Sequence, residues 1–185
     1  VHERTLGGTN RIAQAVPQVE RVYADGQRGI KVSRQVADVP PPPYYQRFRS
    51  FDTNLDRCFV YEFLLPGTLL IDSGGRPVGD APDDLSRAVQ LHSCQTLTPE
   101  TETTTHYFFQ QSHPSGQGDG TVTQSIFDSL IGAFNEDRDM IRAQARTIAM
   151  NPSLPMVPLH MDAALTRFRA LLREEIDAEQ TAIRV

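Results

Sequence analysis

A carboxylate on the apolar side of a predicted helix is the first residue in this sequence whose position suggests chemistry. Residues 121–150 have the spacing of a long amphipathic helix, with apolar residues recurring every three or four positions. Its apolar side comprises Phe127, Leu130, Phe134, Ile141, Ala145 and Ile148. Asp137 falls on this side, whereas Glu136 and Asp139 are expected to face solvent. A buried carboxylate needs an ion-pair partner, a proton or a metal ion, so a structural ion pair, a loop cap and a metal ligand all remain open roles for Asp137.

A metal site would also need imidazoles. His2 stands at the start of the chain, and a lone histidine is usually a surface or core residue. His106 lies in a predicted strand, where it either faces a cavity or serves as a hydrogen-bonded structural residue. Cys58 and Cys94 are isolated, with no CxxC or Cys-x-His spacing. We expect them to be ordinary core thiols in a reducing, cytoplasmic compartment.

The composition is that of one globular domain. The chain has 185 residues, 39% of them apolar, and a formal net charge of −5. An acidic balance without a basic stripe argues against nucleic acid or an anionic membrane as a partner. No apolar run approaches the roughly 20 residues of a transmembrane helix, and we expect no signal peptide. The chain opens on Val1 rather than a methionine, and we expect that an N-terminal part is missing.

The predicted elements that must position these residues are strands followed by two helices. The strands cover residues 18–24, 29–39, 57–65, 68–73, 87–97 and 101–112. The long helix opens with a capping box at Thr121 and Gln124. A second helix runs from an N-cap at Asp162 to about Thr181, with a solvated charged face. This order predicts an α+β fold with helices packed on a curved antiparallel sheet. The proline run 40–43 reads as a connection within the domain, or alternatively as a ligand for a partner module.

Two stretches resemble a known family. The strand segment LTPETETTTHYFF at 97–109 and the helix segment AFNED at 133–137 are similar to the oxygenase subunit of vanillate O-demethylase-type Rieske non-haem iron monooxygenases. Val1-His2 resembles the close of that family's H-x-x-x-x-H motif. The resemblance covers essentially the whole chain, as a single C-terminal catalytic domain without the Rieske domain. It implies a helix-grip fold of the START and Bet v 1 type, with the substrate pocket between the sheet and the long helix.

The resemblance implies a site as well as a fold. Mononuclear Fe(II) in the family is held by two histidines and one carboxylate; His2 matches the second histidine and Asp137 the carboxylate. The first histidine would lie five residues before His2, outside this chain, as would the [2Fe–2S] cluster. His106 matches a strand that lines the family's substrate cavity, and the Phe134 face would supply part of an apolar pocket, so both are candidate substrate-binding residues. Arg47, Arg49 and Arg57 are conceivable partners for a substrate carboxylate, or else ordinary solvent-exposed arginines.

The resemblance also implies an activity and partners. Electrons from NAD(P)H would pass through a reductase or ferredoxin component and the Rieske cluster to iron, where dioxygen is activated. An aromatic substrate would then be hydroxylated, typically at a methoxy or methyl carbon, and demethylation would follow. The family implies a homotrimer. We expect that the isolated 185 residues would not turn over substrate. A non-enzymatic helix-grip domain that binds an apolar small molecule is the alternative.

Overall fold

Six consecutive strands pair in chain order to form one antiparallel sheet, with helices on one side of it. The computed structural model describes residues 10–24, 26–113, 119–155, 157–159 and 162–183. The strands are β1 Gln18–Ala24, β2 Gln27–Val39, β3 Leu55–Leu64, β4 Thr68–Pro77, β5 Val89–Pro99 and β6 Thr105–Ser112. The helices are α1 Asn10–Gln14, α2 Gly120–Met150 and α3 Ala163–Ile183. The predicted α+β helix-grip architecture, with a curved antiparallel sheet, a long helix and a second C-terminal helix, is confirmed.

The two faces of the sheet differ in charge. Residues paired directly across the strands share a face, and successive residues alternate between faces. Four carboxylates among the paired residues lie on the outer face: Glu20, Asp56, Glu62 and Asp72. The inner face, which packs against the helices, carries no carboxylate among the paired residues. It carries four arginines instead: Arg21, Arg28, Arg34 and Arg57.

The largest apolar cluster joins α2 to the sheet. Ile126 and Leu130 of α2 pack against Val89 and Leu91 of β5, and all four are buried. The segment that follows the proline run adds two further buried residues to this cluster, Tyr44 and Tyr45. The proline run is therefore followed directly by two core residues. This agrees with the prediction that it is a connection within the domain.

Helix α3 covers the other end of the sheet. Leu171 packs against Ile30 of β2, and the rings of Phe168 and Phe63 meet edge to face at 4.4 Å between centroids. The predicted solvated face of this helix is only partly correct. Glu174 accepts from Arg21 of β1 at 2.7 Å and from the neighbouring strand, so part of this charged face ties α3 to the edge of the sheet.

Several local predictions were wrong in detail. Asp119, rather than the Thr121–Gln124 box, caps α2: its carboxylate accepts from the backbone N–H of Thr121 at 2.9 Å. The two cysteines are unpaired as expected, but Cys58 is exposed and Cys94 half-buried. Both lie on the outer face of the sheet rather than in the core. No helix within the described part of the chain is both long and apolar enough to span a membrane.

Candidate functional site

Asp137 continues the row of α2 residues that faces the sheet. The buried residues Ile126, Leu130 and Ala133 follow one another at spacings of four and three positions, and Asp137 comes one turn after Ala133. Its side chain is half-buried. Every later residue of α2 except Ala143 is exposed. The Asp137 carboxylate therefore lies at the boundary between the part of α2 that packs against the sheet and the part that is exposed.

The predicted apolar side of α2 is correct only around its middle. Leu130 is buried and Phe134 half-buried. Three other predicted members are 47–64% exposed: Phe127, Ile141 and Ile148. Glu136, predicted to face solvent, is half-buried like Asp137, whereas Asp139 is exposed. Burial in this helix follows the residues that lie opposite it and not its periodicity alone.

An aromatic cluster fixes strand β6 against α2 beside Asp137. Phe134, three residues before Asp137, contacts two rings of β6: Tyr107 at 5.1 Å and Phe109 at 4.7 Å between centroids. Both contacts are tilted edge-to-face arrangements, which the aromatic quadrupoles favour. Phe109 also stacks on Phe127 at 5.9 Å. We call these four aromatic residues the β6–α2 aromatic cluster.

A polar pair lies next to this cluster. The Tyr107 hydroxyl donates to Oε1 of Gln95 on β5 at 2.6 Å. Gln95 is only 8% exposed, and its amide nitrogen donates to the Ser93 hydroxyl at 3.3 Å. Burial, with a smaller contribution from the negative charge of Asp137, raises the pKa of Tyr107 to about 12. The phenol therefore stays neutral at physiological pH and lies within electrostatic reach of the Asp137 carboxylate.

His106 occupies the opposite face of β6. Its ring stacks on Phe108 at 6.1 Å, its Nε2 lies 3.5 Å from the Glu100 carboxylate, and about half of its side chain is exposed. The structure does not bring His106 and Phe134 together, because successive residues of a strand point to opposite faces. Substrate contact by His106 stays a prediction. Strand alternation was the signal that could have singled out Tyr107 as the residue facing α2.

The second predicted metal ligand, His2, lies outside the described residues, so its distance from Asp137 is untested. Among residues 10–183 that the structure describes, no group of three His, Cys, Asp or Glu side chains is arranged to hold a metal ion. A half-buried carboxylate beside a neutral phenol fits the contribution of one oxygen ligand to Fe(II), which accepts carboxylate and imidazole ligands together. Asp137 therefore fits the carboxylate of the predicted metal site.

The three arginines considered for a substrate carboxylate have different surroundings. Arg47 donates to the Ser125 carbonyl of α2 at 2.7 Å, and Arg49 to the Ser86 carbonyl at 2.7 Å. Arg57 is 4% exposed, with its guanidinium 4.8 Å from the Tyr45 ring centroid and 4.9 Å from the ring of the following inner-face residue on β3. Arg57 is therefore a buried cation of the inner face rather than a solvent-exposed arginine.

An open apolar cavity of about 310 Å³ lies between the inner face and α3. Its lining residues are Ile30, Val32, Tyr61, Phe63, Ala164, Leu165 and Phe168. This volume is at the lower end of the range for small-molecule sites, which are mostly apolar. Asp137 and the β6–α2 aromatic cluster do not line this cavity. The inner side of the sheet therefore has two features, a carboxylate site under α2 and an apolar cavity under α3.

Comparison with known proteins places this chain in a family. The model of the vanillate O-demethylase oxygenase C-terminal domain matches residues 1–178. The toluene-4-sulfonate monooxygenase system iron-sulfur subunit TsaM1 of Comamonas testosteroni is 34% identical over 182 residues, 97% of this chain and 52% of that protein. The vanillate O-demethylase oxygenase subunit of a Pseudomonas species is 29% identical over 135 residues, 71% of this chain and 40% of that protein.

A solved structure shares the fold. Dicamba monooxygenase bound to 3,6-dichlorosalicylic acid superimposes with a TM-score of 0.73 at 20% sequence identity, covering 96% of this chain and 52% of that one. The chain thus spans about half the length of the relatives it matches. The predicted resemblance to the catalytic domain of vanillate O-demethylase-type oxygenases is confirmed. This chain belongs to the vanillate O-demethylase oxygenase C-terminal domain family.

Proposed function

We propose that this chain is the catalytic part of a Rieske-type non-haem iron oxygenase that hydroxylates or demethylates an aromatic small molecule. Family membership over nearly the whole chain supports the reaction class. The relatives carry names such as iron-sulfur subunit of a monooxygenase system and oxygenase subunit of a demethylase. The single structural observation that carries the proposal is the position of Asp137, a half-buried carboxylate at the end of the buried row of α2.

In this proposal Asp137 and His2 hold Fe(II), and a second histidine comes from outside these 185 residues. The bound iron supplies the chemistry that activates dioxygen. Electrons come from NAD(P)H through a reductase or ferredoxin component and then through a Rieske [2Fe–2S] cluster. In this proposal the cluster is held outside these 185 residues. The complete enzyme is a homotrimer in the cytoplasm.

The residues of this chain have roles that do not depend on the iron. The β6–α2 aromatic cluster provides an aromatic wall that ends at Phe134, one turn before Asp137 on α2. Phe134 is the member of this wall nearest in sequence to the carboxylate, and it remains our candidate for substrate contact. His106 remains a second candidate, but its place on the outer face means that a substrate could not contact it together with Phe134 without a change in β6.

Replacement of Asp137 tests the metal assignment. In the full-length polypeptide, we expect Asp137→Ala to lose mononuclear iron by at least tenfold, measured by elemental analysis after desalting, while the Rieske absorbance is unchanged. Asp139→Ala is the matched control, because Asp139 is an exposed carboxylate two residues away with Arg138 as its neighbour at 3.4 Å. Iron retained in Asp137→Ala at the level of the control would contradict the proposal.

A non-enzymatic binding domain is the second candidate function, and the apolar cavity under α3 is the observation that favours it. Such a domain would hold an apolar organic molecule without any metal. Extraction of the purified protein followed by mass spectrometry distinguishes the two proposals. A stoichiometric organic ligand with no iron in the full-length polypeptide favours the non-enzymatic binding domain, whereas iron that depends on Asp137 favours the oxygenase.

A further inference from the structure

The hydrogen-bonded pair of Tyr107 and Gln95 is the feature that the family resemblance leaves unexplained. Resting on the proposed function, we propose that Tyr107, held in place by Gln95, is a positioning residue for the Asp137 carboxylate. Tyr107 would not bind the metal itself. It would restrain the side chains around the Asp137 carboxylate. Neither residue is assigned this role by the motifs that identify the family.

The position of Tyr107 supports this role. Its ring contacts Phe134 at 5.1 Å between centroids, and Phe134 and Asp137 lie three residues apart, hence on the same side of α2. The carboxylate is close enough for its charge to act on the phenol, whose pKa is raised to about 12 by burial first and by Asp137 second.

The burial of Gln95 supports it independently. Apart from two tyrosines, Gln95 and Arg57 are the two buried residues with polar or charged side chains within the described part of the chain. A buried amide is costly unless its hydrogen bonds are made. Here Oε1 accepts from Tyr107 at 2.6 Å and Nε2 donates to Ser93 at 3.3 Å. The Ser93 hydroxyl donates to the Gln110 carbonyl at 3.0 Å, so the chain of hydrogen bonds ends on the backbone of β6.

These contacts restrain the Tyr107 side chain at two points. Phe134 packs against the ring, and Gln95 accepts from the hydroxyl. Tyr107 is 41% exposed, but its acceptor Gln95 is buried, and a satisfied hydrogen bond to a buried group restrains the residues that make it. Residues that support a metal ligand from outside the ligand set typically change metal affinity by about 10- to 100-fold when they are replaced. The expected phenotype is therefore a weaker metal site in a protein that still folds.

The test uses three variants of the full-length polypeptide: Tyr107→Phe, Gln95→Met and the double variant. Fe(II) affinity is measured by competition with a chelator, and near-infrared magnetic circular dichroism reports the ferrous coordination geometry. We expect Tyr107→Phe to weaken Fe(II) binding by about tenfold and to shift the ligand-field bands. Gln95→Met should do the same, and the double variant should lose no more than about either single variant, because the two residues act as one unit.

Two further variants make the outcome decisive. Tyr44→Phe also removes a buried tyrosine hydroxyl, but Tyr44 packs against Phe48, at 6.3 Å between centroids, in the core; it should bind Fe(II) as the wild type does. Wild-type affinity and spectrum in Tyr107→Phe overturn the positioning role, as does an equal loss of affinity in Tyr44→Phe. Losses that multiply in the double variant overturn the coupling to Gln95. Asp137→Asn separates this from the proposed function: iron retained in that variant contradicts the metal site itself.

Discussion

The two halves of α2 share one helix and one pattern, yet they have opposite surroundings. In the amino-terminal half, Ile126, Leu130 and Ala133 are 3%, 6% and 1% exposed. In the carboxyl-terminal half, Met140 and Ile141 are 61% and 64% exposed. Apolar periodicity identifies the side of a helix that is able to pack, but the extent of packing depends on what lies opposite. Asp137 lies at the boundary between the two halves.

The contacts of α2 locate this boundary. The α2 residues that belong to the core cluster or pack against it run from Val122 to Phe134. Phe134 also makes the last of the aromatic contacts between α2 and β6. The three predictions that follow probe the two halves separately, from the largest expected effect to the smallest.

Truncation of a buried residue in the amino-terminal half should have the largest effect. Leu130→Ala removes a side chain that packs in the cluster with Val89 and Leu91, and the cavity left behind should lower the free energy of unfolding by about 2–5 kcal/mol. Urea denaturation followed by circular dichroism measures this change. A loss below about 0.5 kcal/mol would show that the amino-terminal half is not held as the structure indicates.

Loss of the N-cap should have an intermediate effect. Asp119→Ala leaves the backbone N–H groups of Val122 and Thr121 without their acceptor and should lower Tm by about 2–4 °C at pH 7. Those same hydrogen bonds lower the pKa of Asp119 below its ordinary value of 3.8. The contribution is therefore complete above that value and is lost as the pH falls through the lower folded-state pKa.

The pH dependence supplies the control for this prediction. Thermal melts of wild type and Asp119→Ala should differ at pH 7 and should converge as the pH falls below the lowered folded-state pKa of Asp119. A difference that persists unchanged in acid would mean that the substitution acts through something other than the charged cap.

Truncation in the carboxyl-terminal half should have the smallest effect. Ile141→Ala changes a residue that is 64% exposed, so the free energy of unfolding should change by less than about 0.5 kcal/mol. The same urea titration used for Leu130→Ala provides the comparison. If Ile141→Ala proves as costly as Leu130→Ala in the full-length polypeptide, a segment outside the described residues covers this half of α2.

The sequence was sufficient to predict the elements that depend on local pattern. Strand alternation and helical periodicity gave six strands and two long helices close to their observed bounds, and the family motifs identified the fold class. The predicted strand 68–73 stops before two glycines, yet β4 continues through them to Pro77. A Cβ on Gly75 would come within 3.0 Å of the Tyr45 ring. Glycine is needed here for close approach of an aromatic ring, which no local pattern reveals.

The candidate site could be predicted only in part for a similar reason. Asp137 stands out because its helix is regular enough for one misplaced carboxylate to be noticed. Tyr107 and Gln95 are 12 positions apart, and they meet only because β5 and β6 pair in one particular register. His106 is the more conspicuous residue of β6 in the sequence, because imidazole is a common metal ligand and a common substrate contact. The contact between His2 and Asp137 stays a prediction.

The register of the sheet also has a practical consequence for the two cysteines. Cys58 lies in line with Gln90 on β5, four residues before Cys94, so the two side chains are about 16 Å apart by strand spacing and rise per residue. This distance is well beyond the roughly 7 Å limit for a disulfide. With both thiols on the outer face, the native chain carries two attachment points for fluorescent or spin labels. The distance between labels on Cys58 and Cys94 would report any bending of the sheet when a ligand binds on its inner face.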